Sequence, residues 1–157
     1  MRKYIKFLLV LLVLLVVTIL SVCTSKLDTA ECSFKSKQRD YKIDTKYKIY
    51  YKDNIVKKVD IDEVITSSKK DKLREFSNSF KSQYKSNNSM YGGYTYDIKN
   101  SKDKLELSVS IDYTVFDMKK FINNNAAMKD YVNKSNKLTL NGIIKMYKSS
   151  GSVCKKK

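Results

Sequence analysis

Histidine is absent from this 157-residue chain, and so are proline and tryptophan. Without histidine there is no imidazole for general acid–base work or for a catalytic triad. The three cysteines, Cys23, Cys32 and Cys154, form no C-x-x-C pair, which removes the usual basis of a zinc site. The P-loop and dinucleotide fingerprints are missing as well, so no cofactor is expected. Arginine is scarce: Arg2, Arg39 and Arg74 are the three among 32 basic residues. A chain rich in Lys, Asn, Ile and Tyr but without Pro, His or Trp has the composition of an AT-rich genome.

The formal charge is +16. Residues 1–30 carry four Lys/Arg and one Asp, which leaves 28 basic against 15 acidic groups in the remainder. That excess suits an anionic partner such as nucleic acid, anionic lipid or a polyanionic wall polymer. Codon usage explains it equally well as an ordinary solvated surface, and the scatter of lysines along every element favours this second explanation.

Long apolar runs are confined to one stretch. Phe7 to Cys23 spans seventeen residues interrupted only by Thr18 and Ser21, with Arg2, Lys3 and Lys6 ahead of it. As a helix it covers about 25 Å, the short end of a bilayer span. The same features describe a secretory signal. Either way the basic cluster stays on the cytoplasmic side and the rest crosses the membrane, so the expected address is the cell membrane with the domain on its extracytoplasmic side. Leu20-Ser21-Val22-Cys23 resembles a lipobox, which makes Cys23 the candidate for lipidation. Val22 departs from the small residue expected there. Three fates stay open: an uncleaved transmembrane anchor, a lipoprotein and a released domain.

Cys32 and Cys154 nearly bracket the exported part. Outside the cytoplasm two thiols persist as a disulfide more readily than as free groups. A Cys32–Cys154 bridge closes a loop of more than a hundred residues, and chain entropy assigns such a crosslink about 4–5 kcal/mol.

Hydropathy patterning supplies the elements. Tyr41 to Lys52 alternates with period two and reads as a half-buried strand, and Ile55 to Thr66 follows after an Asp53-Asn54 turn. Over Lys69 to Asn87 the period changes, with Leu73, Phe76, Phe80 and Tyr84 on one helical face and Ser67 or Ser68 as cap. A second hairpin follows Gly92-Gly93, its long strand running through Leu105, Leu107, Val109 and Ile111. Asp117 caps a helical stretch that Asn123-Asn124-Asn125 weakens, leaving one bent helix or two short ones. The last helix starts near Thr139, and Gly151 terminates it. The expectation is an α+β two-layer domain with a four-stranded, mainly antiparallel sheet, ββαββ followed by C-terminal helices, behind the N-terminal membrane helix. Its divisions are 1–6 basic n-region, 7–23 anchor or signal, 24–31 linker, 32–154 domain and 155–157 basic tail.

No catalytic motif stands out, and no catalytic, cofactor or metal residue is assigned. The best acidic cluster is Asp60-Ile61-Asp62-Glu63, which could serve a hard cation or carboxylate chemistry but reads first as the solvent side of a strand. Gly92-Gly93 could admit a ligand to the backbone, although a turn entering a strand is the commoner use. Lys and Tyr interleave in YKIDTKYKIYYK, as in single-strand nucleic-acid platforms. The tyrosines sit on the apolar parity, all but Tyr50, so nucleic acid is disfavoured as a partner.

The basic n-region, the apolar run ending at Cys23, a cysteine opening the ββαββ domain and the closing Ser149-Ser150-Gly151-Ser152-Val153-Cys154 together resemble the small lipoproteins of low-GC bacteria, the YehR-like family. That resemblance implies a fold and an address, and no activity. The functional expectation is a non-enzymatic cell-envelope binding or interaction module, its partners being the membrane, an anionic envelope polymer or another envelope protein. A carboxylate-dependent envelope enzyme and a structural or stress lipoprotein without a small ligand are the alternatives.

Overall fold

The computed structural model describes residues 26–156. Six strands and three α-helices follow in the order β1 (Asp28–Lys37), β2 (Lys42–Lys52), β3 (Ile55–Thr66), α1 (Lys70–Tyr91), β4 (Tyr94–Asn100), β5 (Lys104–Asp112), α2 (Met118–Asn124), a 3-10 turn (Ala126–Tyr131), α3 (Leu140–Ser149) and β6 (Val153–Lys156). They build one six-stranded sheet in the order β4-β5-β3-β2-β1-β6, with every neighbouring pair antiparallel. The expected four-stranded sheet is therefore corrected to six strands.

The two extra strands lie at the ends of the domain. β1 occupies part of the stretch expected to be a linker, and its inward residues are Ala30, Cys32, Phe34 and Ser36. The alternation is present, but small and polar side chains carry it in place of β-branched ones, so hydropathy barely registers it. β6 is four residues long and runs into the supposed basic tail, pairing only with β1. A strand that short has no periodicity of its own, and its partner holds it. Cys32 and Cys154 stand directly opposite each other in that pairing and are joined by a disulfide.

The two expected hairpins are present. β2 and β3 turn through Asp53 and Asn54, both at positive φ. A bulge follows, in which Lys57 has no partner between the Tyr50–Lys58 and Tyr51–Val56 pairs. The extra residue lets both Val56 and Val59 point into the core, where they are 3% and 0% exposed. β4 and β5 form the second hairpin, and the α1 crossover places β5 beside β3 with β4 at the edge.

All the helices cover one face of the sheet, each on its own half. α1 lays Leu73, Phe76, Phe80 and Tyr84 over Ile65, Leu105, Leu107 and Ile98. It runs one turn past Asn87 because Tyr91 is buried against Phe116 and Phe121. Gly92, at φ 70°, then closes it with a bond from its N–H to the Asn88 carbonyl. The Asn-rich break resolves into two pieces, α2 capped by the Asp117 side chain and the 3-10 turn beyond Asn125. α3 is capped by Thr139, whose hydroxyl accepts from the Gly142 N–H at 3.0 Å, and it seats Leu140, Ile143 and Ile144 over Ala30, Ile49 and Val59.

Among the described residues no helix is long and apolar enough to cross a membrane. The 7–23 segment expected to do so, and Cys23 with it, lies outside the described residues.

Candidate functional site

The acidic cluster does not stay together, because strand parity divides it. Asp60 and Asp62 point to the sheet face that carries no helix, while Glu63 points to the helix-covered face with Val59, Ile61 and Ile65. On the open face Asp62 accepts a bond from the Ser108 hydroxyl at 2.9 Å, and Asp60 pairs with the Lys58 ammonium at 3.0 Å. Partial burial pushes the Asp60 carboxyl upward, but hydrogen bonds from Lys58, Ser110 and Tyr50 outweigh it and hold the group below its ordinary value. Asp60 is thus held by an ammonium and Asp62 by a hydroxyl. Among the described residues no three Asp, Glu or Cys side chains gather so as to hold a metal ion.

Glu63 is different. Its strand neighbours on the inner face, Val59 and Ile65, are 0% and 1% exposed, yet Glu63, Ile61 and the adjacent Tyr47 keep part of their surface in water. They lie where the α1 half of the core meets the α3 half, on the strip of β2 and β3 between the helices. Thr45, 1% exposed, lies directly across from Glu63 and donates its hydroxyl to Oε2 at 2.8 Å. No second side-chain hydrogen bond reaches this carboxylate among the described residues. Removal from water raises the Glu63 carboxyl pKa, and the Thr45 bond only partly offsets that.

Tyrosines flank this strip. Tyr84 of α1 stands on one side, in line with Phe80 and Tyr94 at ring separations of 6.1 Å. Tyr147 of α3 stands on the other, stacked on Tyr47 at 4.1 Å. Tyr113 joins both core halves at one end. Burial raises the pKa of Tyr47, Tyr84, Tyr113 and Tyr147, and the Glu63 charge adds to the effect on Tyr47 and Tyr84. The phenols therefore stay protonated, and Glu63 is the one ionisable group here that titrates in the acid range. No Lys or Arg forms a salt bridge with it among the described residues.

The remaining candidates have structural roles. Gly93 lies at φ +77°, and a Cβ there would come within 2.6 Å of the Asp112 carbonyl oxygen. The Gly92-Gly93 pair thus serves the turn and the close backbone approach. Tyr50 lies on the open face with Lys48 and Lys58 at 5.1 and 5.3 Å from its ring, so its surface is already taken. Sequence reasoning put Glu63 on the solvent side and missed its inward placement. The available signal was the parity of Val59, Ile61, Glu63 and Ile65, which places the acid in an apolar row.

No protein-family model and no curated protein matches the sequence. Solved structures share the fold. The NMR structure of the E. coli YehR protein is similar at a TM-score of 0.56 and 16% identity, over 85% of this chain and 94% of that one. The NMR structure of a protein from Streptococcus pneumoniae TIGR4 is similar at a TM-score of 0.50 and 15% identity, over 85% and 88% of the two chains. At these identities the likeness is one of fold.

Proposed function

We propose that this chain is a membrane-tethered, extracytoplasmic binding module whose ligand site is a groove formed between α1 and α3 over Glu63. The observation that carries the reading is Glu63, a half-buried carboxyl with one hydrogen bond and no salt bridge, among tyrosines kept protonated by burial. A side chain kept at the cost of desolvation, in a row otherwise apolar, is a candidate for binding. Binding is favoured over catalysis because Glu63 stands alone. Asp60 and Asp62, the carboxylates that could have shared acid–base work, face the other side of the sheet. The Cys32–Cys154 bridge supports the extracytoplasmic address, since such a bond persists in oxidising surroundings. The tether is the 7–23 helix or a lipid on Cys23.

The open face supports a second partner. Lys35, Lys37, Lys42, Lys46 and Lys48 share the outer side of β1 and β2 with Glu31 and Asp44, and Asp60 and Asp62 of β3 stand across from Lys48 and Lys46. That strip suits an anionic envelope polymer. The site between α1 and α3 is testable in intact cells. A photo-crosslinking residue at position 84, in the groove, should give a discrete adduct, whereas the same residue at exposed position 82 should not. Adducts at 82 with none at 84 would contradict the groove as the binding site.

A further inference from the structure

We propose that the free edge of β4 pairs with β4 of a second copy of this chain, joining two sheets into one across a two-fold axis at Ile98. The inference is independent of the site between α1 and α3.

The hydrogen-bond phase of β4 shows which backbone groups are open. At one end of the β4–β5 ladder the Asp112 N–H donates to the Gly93 carbonyl, and at the other the Ser101 N–H donates to the Lys104 carbonyl, both at 2.8 Å. In that phase Thr95, Asp97 and Lys99 turn their backbone groups to β5, and Tyr94, Tyr96, Ile98 and Asn100 turn theirs outward. The Tyr94 N–H donates to the Asn88 side chain at 3.1 Å. The outward groups of Tyr96, Ile98 and Asn100 have no partner among the described residues, and β4 is the end strand of the sheet.

Charge complementarity selects the occupant and its register. Antiparallel self-pairing must set outward residues against outward residues. Centred on Asp97 or on Lys99, it sets like charges together. Centred on Tyr96, it leaves both charges without a counterpart. Centred on Ile98, it sets Asp97 against Lys99 of the other copy, twice, and gives six backbone bonds among Tyr96, Ile98 and Asn100 of the two strands. Asp97 and Lys99 now lie 3.3 Å apart along one strand, with side chains 63% and 75% exposed, so both can reach across. The opposite edge lacks this property. β6 has four residues, two of them Lys155 and Lys156 and none acidic, so a second copy meets like charge there. Lysine commonly guards an edge against pairing; on β4 an aspartate two residues away makes the edge self-complementary. The two-fold stands perpendicular to the joined sheet, so both copies turn the same face to the same side and suit one membrane surface.

The test uses the purified full chain in detergent micelles, in a Cys23→Ser background that leaves Cys32 and Cys154 in their disulfide. Ile98→Cys puts a thiol on the axis, where hydrogen-bonded partners have Cα atoms about 5.5 Å apart and a disulfide fits. A covalent dimer is expected on mild oxidation. Asp97→Cys should give none, because its counterpart lies on a diagonal roughly 7–8 Å away. Charge reversal supplies a second measurement by sedimentation. Asp97→Lys and Lys99→Asp should each weaken self-association about ten-fold, since two cross-strand pairs become repulsive. An equimolar mixture of these two variants should restore it, because every facing pair is then opposite in sign. Each variant has lost its own Asp97–Lys99 pair, so repair within one chain cannot produce that rescue. Crosslinking at position 97 in place of 98, a mixture no stronger than its components, or a wild-type chain that stays monomeric would each overturn the proposal.

Discussion

Cutting the Cys32–Cys154 bridge perturbs the domain at a calculable cost. The bridge joins residues separated by 122 positions, and the chain-entropy relation gives a loop of that length about 5 kcal/mol. Measured losses of native crosslinks run lower, about 2–5 kcal/mol, because the open chain keeps some structure and strain is relieved. At roughly 3 °C per kcal/mol for a domain of this size, the expected fall in Tm is about 6–15 °C. The geometry adds a local consequence. β6 pairs with β1 alone and over four residues, so the bridge is what keeps a very short edge strand in register. Alanine is the better replacement at position 32, where a serine hydroxyl would be buried in a site only 3% exposed. Cys32→Ala and Cys154→Ala should each lower the Tm, and the double variant should fall no further than the worse single one, since one bond is lost in all three. The assay is thermal unfolding with and without reductant, with alkylation of the two thiols as control. Additive losses in the double variant, or alkylation of Cys32 in oxidised folded protein, would refute the reasoning.

At Glu63 the folded carboxyl titrates above its unfolded value. Wild type therefore loses stability as pH rises from the unfolded pKa through the folded one, and the full penalty stands above both. Glu63→Gln should melt higher than wild type at neutral pH and alike near pH 3, and a gap widening toward acid would reverse the assignment. Gly142→Ala should destabilise by about 1–3 kcal/mol despite the better helix propensity of alanine, because the new Cβ would sit 2.1 Å from the Tyr131 carbonyl oxygen; unchanged denaturant midpoints would show that the α3 terminus moves freely. External protease on spheroplasts should digest the domain, and Cys23→Ser should leave membrane attachment intact if the 7–23 helix is the tether. Palmitate labelling that disappears with Cys23→Ser would instead make the tether a lipid.

Strong alternation and helical spacing made most of the fold legible. β2, β3, β5, α1 and α3 announce themselves through side chains whose burial is large, such as Ile49, Leu105 and Ile143 at 0% exposure. β1 and β6 do not, because Ala30, Cys32 and Ser36 carry little hydropathy and four residues carry no period. Those strands exist through pairing and the disulfide, which are properties of the folded chain. The bridge itself was legible, since export and bracketing position were enough to pair Cys32 with Cys154. The proposed groove was half legible. Tyr84 and Tyr147 read as core residues because their spacing matches a helix face, and spacing says nothing about whether the two helices meet above the sheet. Glu63 read as a surface acid because it follows Asp60 and Asp62 in sequence, whereas alternation turns every second residue the other way.

A single carboxyl titration of the labelled chain tests the division of that acidic cluster most directly. It should show Glu63 losing its proton above the ordinary glutamate range and Asp60 below the ordinary aspartate range, within one experiment. Glu63 at or below its ordinary value, with its signal as solvent-exposed as that of Asp62, would place it outside the groove and contradict the proposed site.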